Sequence, residues 1–145
     1  MKNLAYLIIL CTFFSCTTPD KLSVYIKAEL KKNNGTIDLT KFNDVKWDKL
    51  YVISPYASDD SFDRFLNDYK DEIKGTGVTI NEMKTVLALF EGDKMVSMSE
   101  LYNDVANFQQ GRKLNGEQIG YYTPQNAVFK YKFINGYNTV VGDPN

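Results

Sequence analysis

Carboxylates, serines, lysines and tyrosines are the side chains that could do chemistry in this chain of 145 residues. Histidine is absent, and the two cysteines, Cys11 and Cys16, both lie near the amino terminus. This composition excludes Ser-His-Asp and Cys-His catalysis and the common zinc sites. The chemistry left open is that of paired carboxylates, a Ser-Lys pair, tyrosine, or a cation held by oxygen atoms.

Three carboxylates, Asp59, Asp60 and Asp63, lie close together in the sequence. A Ca²⁺ loop needs six or more oxygens at fixed intervals, and this group does not supply them. Because a helix N-terminus attracts acidic residues, we expect these aspartates to begin a helix, and we expect no metal or other cofactor. Among the 18 acidic residues, two could face each other as in glycoside hydrolysis, but no pair stands out.

Aromatic residues in the last third of the chain form the candidate ligand-binding surface. Residues 111–125 are rich in Gly, Asn, Gln and Tyr and predict a long loop. Tyrosine next to such residues gives a large contact area with adaptable hydrogen bonds, as in binding surfaces. The alternative is that the loop folds its rings over a sheet edge. The candidate residues are Phe108, Tyr121, Tyr122, Tyr131 and Tyr137.

The single tryptophan, Trp47, precedes Asp48 and Lys49, and Tyr56 follows nine residues later. If Trp47 and Tyr56 were exposed together, they could stack on a sugar or contact a partner. A tryptophan at the start of a buried strand is more often part of the core, with flanking charges in solvent. We therefore favour the core interpretation for Trp47.

Cys16 follows a short segment with the pattern of an export signal. Lys2 supplies a positive charge, Leu4–Phe14 is an 11-residue apolar run, and small Ser15 precedes the cysteine. A transmembrane helix needs about 20 apolar residues, whereas the core of a signal peptide needs about 7–15. The segment resembles a bacterial lipoprotein signal peptide, which implies that Cys16 carries acyl chains such as palmitate. The alternative is an ordinary cleaved signal with an incidental cysteine.

The resemblance to a lipoprotein signal implies a place in the cell envelope. We expect a signal peptide at residues 1–15, the lipidated Cys16 with a short tether at residues 16–20, and one domain at residues 21–145. Thr17 after the cysteine, instead of aspartate, favours the outer membrane over the inner one, with the domain in the periplasm or at the cell surface. Without Lys2 the mature chain has 16 basic and 18 acidic residues, which argues against a nucleic-acid partner.

Periodicity predicts two helices and several strands. A helix is expected from Leu22 to Leu30, and a second, capped by Asp60, carries an apolar stripe from Phe62 to Ile73. Strands are expected at residues 36–39, 47–53, 85–90, 95–98, 129–133 and 137–141. Asn135-Gly136 predicts a type I′ hairpin turn, and Gly92-Asp93 predicts another reversal. Residues 100–108 fit either a short helix or an irregular segment.

This order predicts an α+β fold: a single antiparallel β-sheet of about five to six strands with two helices packed on one face. The segment from Ile37 to Ile73, with Trp47-Asp48-Lys49, Tyr51 and then Pro55-Tyr56, resembles a group of small bacterial lipoproteins. That resemblance supports the fold and the anchor and implies no activity.

Two main functions agree with these observations. The first is a membrane-anchored, non-catalytic module that binds a protein or an envelope glycan. The alternative is a small carboxylate-dependent hydrolase of envelope glycan or peptide, with two carboxylates in a cleft and one raised pKa. A purely structural spacer near the membrane is a third reading. The lack of histidine and of a free cysteine favours the binding module over an enzyme.

Overall fold

The computed structural model of the protein describes residues 20–108 and 119–142. The predicted signal peptide at residues 1–15, Cys16 and residues 111–118 of the predicted loop lie outside this range. Residues 119–122, also predicted as loop, form a strand instead. Within it, three α-helices and seven antiparallel strands form an α+β fold, as predicted. The helices are α1 (Lys21–Lys31), α2 (Arg64–Asn67) and α3 (Lys70–Gly75), and the strands are β1 (Thr36–Asp38), β2 (Lys49–Ile53), β3 (Lys84–Glu91), β4 (Lys94–Tyr102), β5 (Ile119–Tyr122), β6 (Val128–Ile134) and β7 (Tyr137–Gly142).

The strands form two sheets, so the prediction of a single sheet is wrong. One sheet has three strands in the order β1-β6-β7, and the other has four in the order β4-β3-β2-β5. The short strand β1 pairs with β6, nearly a hundred residues later, with Ile37 opposite Phe129. This pairing joins residues that are distant in the sequence. Local sequence patterns therefore could not show which strands belong to which sheet.

The four-stranded sheet has an apolar core on each of its faces. In the first core, Leu50 and Leu89 on one face pack with α1 and the three-stranded sheet. In the second core, Tyr51 and Phe90 on the other face pack with residues of α2 and α3. The prediction that both helical segments lie on one face is therefore wrong. Strand β3, KTVLALFE, is buried along nearly its whole length because both of its faces are covered.

Helix α1 is held at its N-terminus by Asp20. The Asp20 carboxylate accepts a hydrogen bond from the Leu22 amide (3.1 Å) and another from the Ser99 hydroxyl of β4 (2.6 Å). The first bond caps the helix, and the second fixes that cap to the four-stranded sheet. Leu22 and Ile26 then point into the core.

The second predicted helix is two short helices, α2 and α3, separated at Asp68 and Tyr69. Its cap is Asp63 and not Asp60, because the Asp63 carboxylate accepts hydrogen bonds from the Phe65 and Leu66 amides (2.9 and 3.0 Å). Asp60 lies in a separate 3₁₀ turn, Asp59–Ser61. The apolar stripe is still buried as predicted at Leu66 and Ile73, since both short helices cover the same face of the sheet.

Both predicted tight turns are present. Asn135 and Gly136 have φ angles of 51° and 87°, and the type I′ turn needs positive values at both positions. Residues 100–102, which the sequence left undecided, extend β4 to Tyr102, and Leu101 is buried opposite Thr85. Gly92 begins the other reversal with a φ angle of 61°.

Candidate functional site

Of the five candidate ring residues, Phe108 and Tyr131 are buried in the first core, and the partly buried Tyr122 packs against it. Phe108 is 4% exposed, and its ring packs edge-on against Phe129 with centroids 5.3 Å apart. The ring of Tyr122 contacts the same Phe129 at 4.8 Å, and buried Tyr131 donates a hydrogen bond from its hydroxyl to the Leu30 carbonyl (3.3 Å). These contacts agree with the alternative in which the aromatic residues pack against the sheets.

The other two candidates, Tyr121 and Tyr137, lie on different sheets. Tyr137 opens β7 next to the Asn135-Gly136 turn of the three-stranded sheet. Tyr121 lies on β5, an outer strand of the four-stranded sheet, and 52% of its surface is exposed. The structure therefore does not bring the five predicted residues together on one surface.

Trp47 is part of the core, in agreement with the interpretation favoured from its position in the sequence. It is 8% exposed, and its indole Nε1 donates a hydrogen bond to the Phe42 carbonyl (3.0 Å). Asp48 and Lys49 form an ion pair of 3.3 Å beside it. Tyr56 is exposed, with an unusual φ angle of 60°, but Trp47 does not share that exposure.

Tyr121 is linked, through its neighbour on β2, to a different group of residues. Tyr51 of β2 is its partner across the sheet, and the two rings pack edge-on with centroids 5.4 Å apart. The Tyr51 hydroxyl donates a hydrogen bond of 2.6 Å to the Asp63 carboxylate, which also caps α2. Next to Asp63, the Arg64 guanidinium and the Lys49 ammonium lie 4.5 and 4.6 Å from the centre of the Phe65 ring. We call this group the Tyr121 patch; its members are Tyr121, Tyr51, Asp63, Arg64, Phe65 and Lys49.

The Tyr121 patch is held together by contacts that fix its side chains. Burial, and then the hydrogen bond to the Asp63 carboxylate, raises the pKa of the Tyr51 phenol well above its ordinary value. Tyr51 thus keeps its proton and remains a hydrogen-bond donor to Asp63. Arg64 and Lys49 contact Phe65 by cation–π interaction, which limits the motion of two otherwise flexible side chains. The patch therefore combines one exposed ring with charged groups in defined positions.

Of the Tyr121 patch, only Tyr121 was among the predicted ligand-binding residues, whereas Asp63 was expected to begin a helix and Lys49 to be a charge in solvent. The other members come from β2 and the start of α2, and Tyr51 is the one that meets Tyr121, through the pairing of β2 with β5. The alternation of side chains in β2 could have pointed to this contact. Tyr51 and Ile53 lie on the face of β2 that is buried in the second core, so a strand paired with β2 would place a side chain next to Tyr51. The sequence did not show that β5 is that strand.

The carboxylates with a resolved pKa shift among residues 20–108 and 119–142 are all lowered. Burial acts to raise the pKa of Asp38, but the hydrogen bonds from Thr40 and Lys41 outweigh it. The Gly92 amide lowers the pKa of Asp48, and Lys70 and Lys74 lower that of Asp59 through ion pairs of 2.8 and 3.2 Å. These aspartates are held as anions by structural partners, whereas a general acid needs a raised pKa.

One surface depression, of about 390 Å³, lies where α2 meets α3. All of its lining residues come from the single stretch 67–72, and its three carboxylates, Asp68, Asp71 and Glu72, are exposed to solvent. The depression is thus the gap between two short helices and not a cleft between separate parts of the fold.

Two kinds of feature are absent from the described ranges. Across residues 20–108 and 119–142, no helix has the length and apolar character that crossing a bilayer requires. The same residues contain no group of three or more Cys, Asp or Glu side chains arranged to hold a metal ion. Comparisons of the chain with protein-family models, with curated proteins and with solved structures found no match.

Proposed function

We propose that this chain is a lipid-anchored, non-catalytic binding module of the bacterial cell envelope, attached through Cys16. The pattern of Lys2, the apolar run Leu4–Phe14 and Ser15 before the cysteine supports the anchor. The resemblance of the segment from Ile37 to Ile73 to small bacterial lipoproteins supports the same placement. Thr17 favours the outer membrane.

The observation that carries the binding function is the exposure of Tyr121 on a fixed base. Tyrosine combines an apolar ring with a polar hydroxyl and is enriched at binding interfaces, so an exposed tyrosine held by a second, buried ring is suited to contact a ligand. The ring of Tyr51 packs edge-on against that of Tyr121, and the hydrogen bond to Asp63 holds the Tyr51 side chain in place. Because these contacts already order the ring, binding loses little conformational entropy there.

The alternative, a carboxylate-dependent hydrolase, has less support from the geometry. It needs two carboxylates facing each other, one of them with a raised pKa. Asp63 caps α2 and accepts the Tyr51 hydrogen bond, Asp20 caps α1, and Asp59 is held by two lysines. Each of these three carboxylates therefore has a structural role.

The anchor is tested by replacing Cys16. We expect Cys16→Ser to release the protein from the membrane fraction, while the matched variant Cys11→Ser stays membrane-bound with lipid on Cys16. Mass spectrometry of the mature N-terminal peptide reports the lipid directly. Membrane attachment of Cys16→Ser, or an unmodified Cys16 in the wild type, would contradict the anchor.

The binding function is tested by affinity capture from detergent-solubilised envelope. Tyr121→Ala is compared with Tyr102→Ala, because Tyr102 is similarly exposed (47%) but lies on β4, the other outer strand of the same sheet. We expect the wild type and Tyr102→Ala to retain the same component and Tyr121→Ala to lose it. If all three retain the same material, or none retains any, the Tyr121 patch is not the binding site.

A further inference from the structure

We infer that one end of the domain, rich in exposed apolar side chains, rests on the surface of the lipid bilayer beside the anchor at Cys16. This inference rests on the proposed lipid anchor and specifies which surface of the domain faces the membrane. We call this surface the apolar end; its members are Tyr56, Ile80, Met83, Tyr102, Phe133 and Tyr137.

The apolar end contains most of the large hydrophobic side chains that the fold leaves exposed. Across residues 20–108 and 119–142, six of the eight such side chains belong to it, and the other two are Val24 and Tyr121. Ile80 and Phe133 are the most exposed of all, at 80% and 74%. Apolar side chains gathered on one surface mark a site of contact with a membrane or with another protein.

Hydrogen bonds join the segments of the apolar end that belong to the four-stranded sheet. The residue after Tyr102, at the end of β4, donates a hydrogen bond from its amide to the Met83 carbonyl (2.9 Å), just before β3. The Tyr56 amide, beyond the end of β2, donates to the Val78 carbonyl (3.0 Å). Ile80 lies between Val78 and Met83 in the chain, so these segments share one end of the sheet.

The hairpin of the three-stranded sheet adjoins the same end. The Val105 amide donates a hydrogen bond to the Tyr102 carbonyl (2.9 Å), and the Val105 carbonyl accepts one from the Asn138 side chain (3.4 Å). Asn138 directly follows Tyr137 and lies opposite Phe133 in the hairpin. The two sheets therefore contribute to one surface.

The length of the chain between Cys16 and the fold brings the apolar end within reach of the anchor. Asp20 is hydrogen-bonded to Ser99 (2.6 Å), and Tyr102 follows three residues later, about 10 Å along the strand. The four residue steps from Cys16 to Asp20 span at most about 14 Å. Acyl chains on Cys16 would therefore hold this side of the domain close to the bilayer.

The opposite end of the same sheet is charged. The turn from Glu91 to Lys94 lies about 17 Å from Ser99 in the other direction along β4. Glu91 is ion-paired there with exposed Lys46 (2.7 Å), and Asp93 is exposed. Tyrosine is enriched at the interface between membrane and water, whereas charged groups favour solvent. The distribution of side chains thus orients the apolar end toward the bilayer and the charged turn away from it.

A bilayer fits the apolar end better than a protein partner does. The anchor brings a bilayer to this side of the domain, and contact with it needs no further component. Exposed Glu82 and Asp104 lie on the same segments as the apolar residues. Charged residues are depleted from the centre of a protein interface, whereas the headgroup layer of a bilayer is polar.

The orientation is tested with a fluorescent label on a single introduced cysteine. In the proposed mature chain Cys11 is removed and Cys16 carries lipid, so an introduced thiol is labelled specifically. The chain, purified from bacterial membranes in detergent, is reconstituted into vesicles of phosphatidylethanolamine and phosphatidylglycerol that contain lipids with a quencher on their acyl chains. We expect labels at Ile80→Cys and Phe133→Cys to lose most of their fluorescence. The matched label at Asp93→Cys, in the charged turn, should keep its fluorescence.

A second variant separates apolar contact from mere closeness to the anchor. Ile80→Asp combined with Phe133→Asp should restore most of the fluorescence of a label at Met83→Cys, because charged side chains stay out of the bilayer. Both substitutions are at exposed positions, and circular dichroism checks that the fold is kept. Unchanged quenching of the Met83→Cys label would contradict the apolar contact.

The outcomes separate this inference from the proposed anchor. If the protein floats with the vesicles but the labels at positions 80, 133 and 93 are quenched equally or not at all, the anchor stands and the orientation is wrong. If the protein does not float with the vesicles, both are wrong. If the labels at positions 80 and 133 are unquenched, and a photocrosslinker at either position captures an envelope protein in cells, the apolar end is a protein interface instead.

Discussion

Tyrosine side chains serve two purposes in this molecule. The hydroxyl groups of Tyr25, Tyr51 and Tyr131 donate hydrogen bonds that join separate parts of the chain, to Asp38, Asp63 and Leu30 respectively. Tyr121 and Tyr102, in contrast, expose about half of their surface. Composition showed that tyrosine is abundant, but the partner of each hydroxyl depends on contacts between distant residues. The sequence therefore predicted that tyrosines are important here, but it could not show which tyrosines hold the fold together and which are exposed.

Thr85 offers a test of polar groups in the core. It is fully buried in β3, and in the described part of the structure its hydroxyl has no hydrogen-bond partner. Valine has nearly the same shape without the hydroxyl, so Thr85→Val should raise the free energy of unfolding by about 0.5–1 kcal/mol. Urea denaturation measures the change. A loss of stability would show that the hydroxyl is satisfied in the folded protein.

The raised pKa of Tyr51 predicts a loss of stability in alkali. Burial and the Asp63 hydrogen bond keep the proton on the folded Tyr51 beyond the ordinary value of 10.0, whereas the unfolded chain releases it. The contribution of Tyr51 is therefore complete below about pH 10 and falls as the pH rises further. The stability difference between the wild type and Tyr51→Phe should be smaller at pH 11 than at pH 8. A difference that does not change over this range would contradict the assigned hydrogen bond.

Elements with strong local signals were predictable from the sequence. The helix beginning near Leu22, the strands β2, β3 and β6, and the Asn135-Gly136 turn all lie where periodicity and turn residues indicated. The break between α2 and α3 was not predicted, because the apolar stripe continues across it with the same spacing. Strand β4 was predicted too short: the prediction was residues 95–98, whereas the strand runs from Lys94 to Tyr102. Its last four residues, from Ser99, alternate between buried and exposed positions through their pairing with β3.

Asp20 joins helix α1 to strand β4 and gives a test at the level of these elements. Asp20→Ala removes the cap from the Leu22 amide and leaves the fully buried Ser99 hydroxyl without its acceptor. We expect a loss of about 1–2 kcal/mol in the free energy of unfolding. The control is Asp44→Ala at an exposed position, which should change stability by less than about 0.5 kcal/mol. Equal effects of the two variants would mean that Asp20 does not hold α1 to the sheet.

At the scale of the whole molecule, the four-stranded sheet is shared by two apolar cores. The sheet lies between α1 with the three-stranded sheet on one side and α2 with α3 on the other. Alternate residues of β2 and β3 belong to different cores, so neither core can lose its packing without disturbing the same backbone. The α+β class and antiparallel pairing followed from the sequence. The division into two sheets did not, because it depends on the pairing of β1 with β6 and of β2 with β5.

This shared sheet predicts that the two cores unfold together. Trp47, the single tryptophan, reports on the first core, and Ile73 is fully buried in the second. Ile73→Ala should lower the free energy of unfolding by about 2–5 kcal/mol, and Trp47 fluorescence should record the whole decrease. Fluorescence and far-ultraviolet circular dichroism should give the same midpoint. A Trp47 transition left in place by Ile73→Ala would show that the cores unfold separately.

The central claim is that an envelope component contacts the molecule at Tyr121. The most direct test is photocrosslinking in intact cells, with a photoreactive phenylalanine analogue placed at position 121 or, as the control, at position 102 of the full-length chain. We predict a discrete adduct from position 121, found in the membrane fraction, and none of the same species from position 102. No adduct from position 121, or the same adducts from both positions, would contradict the claim.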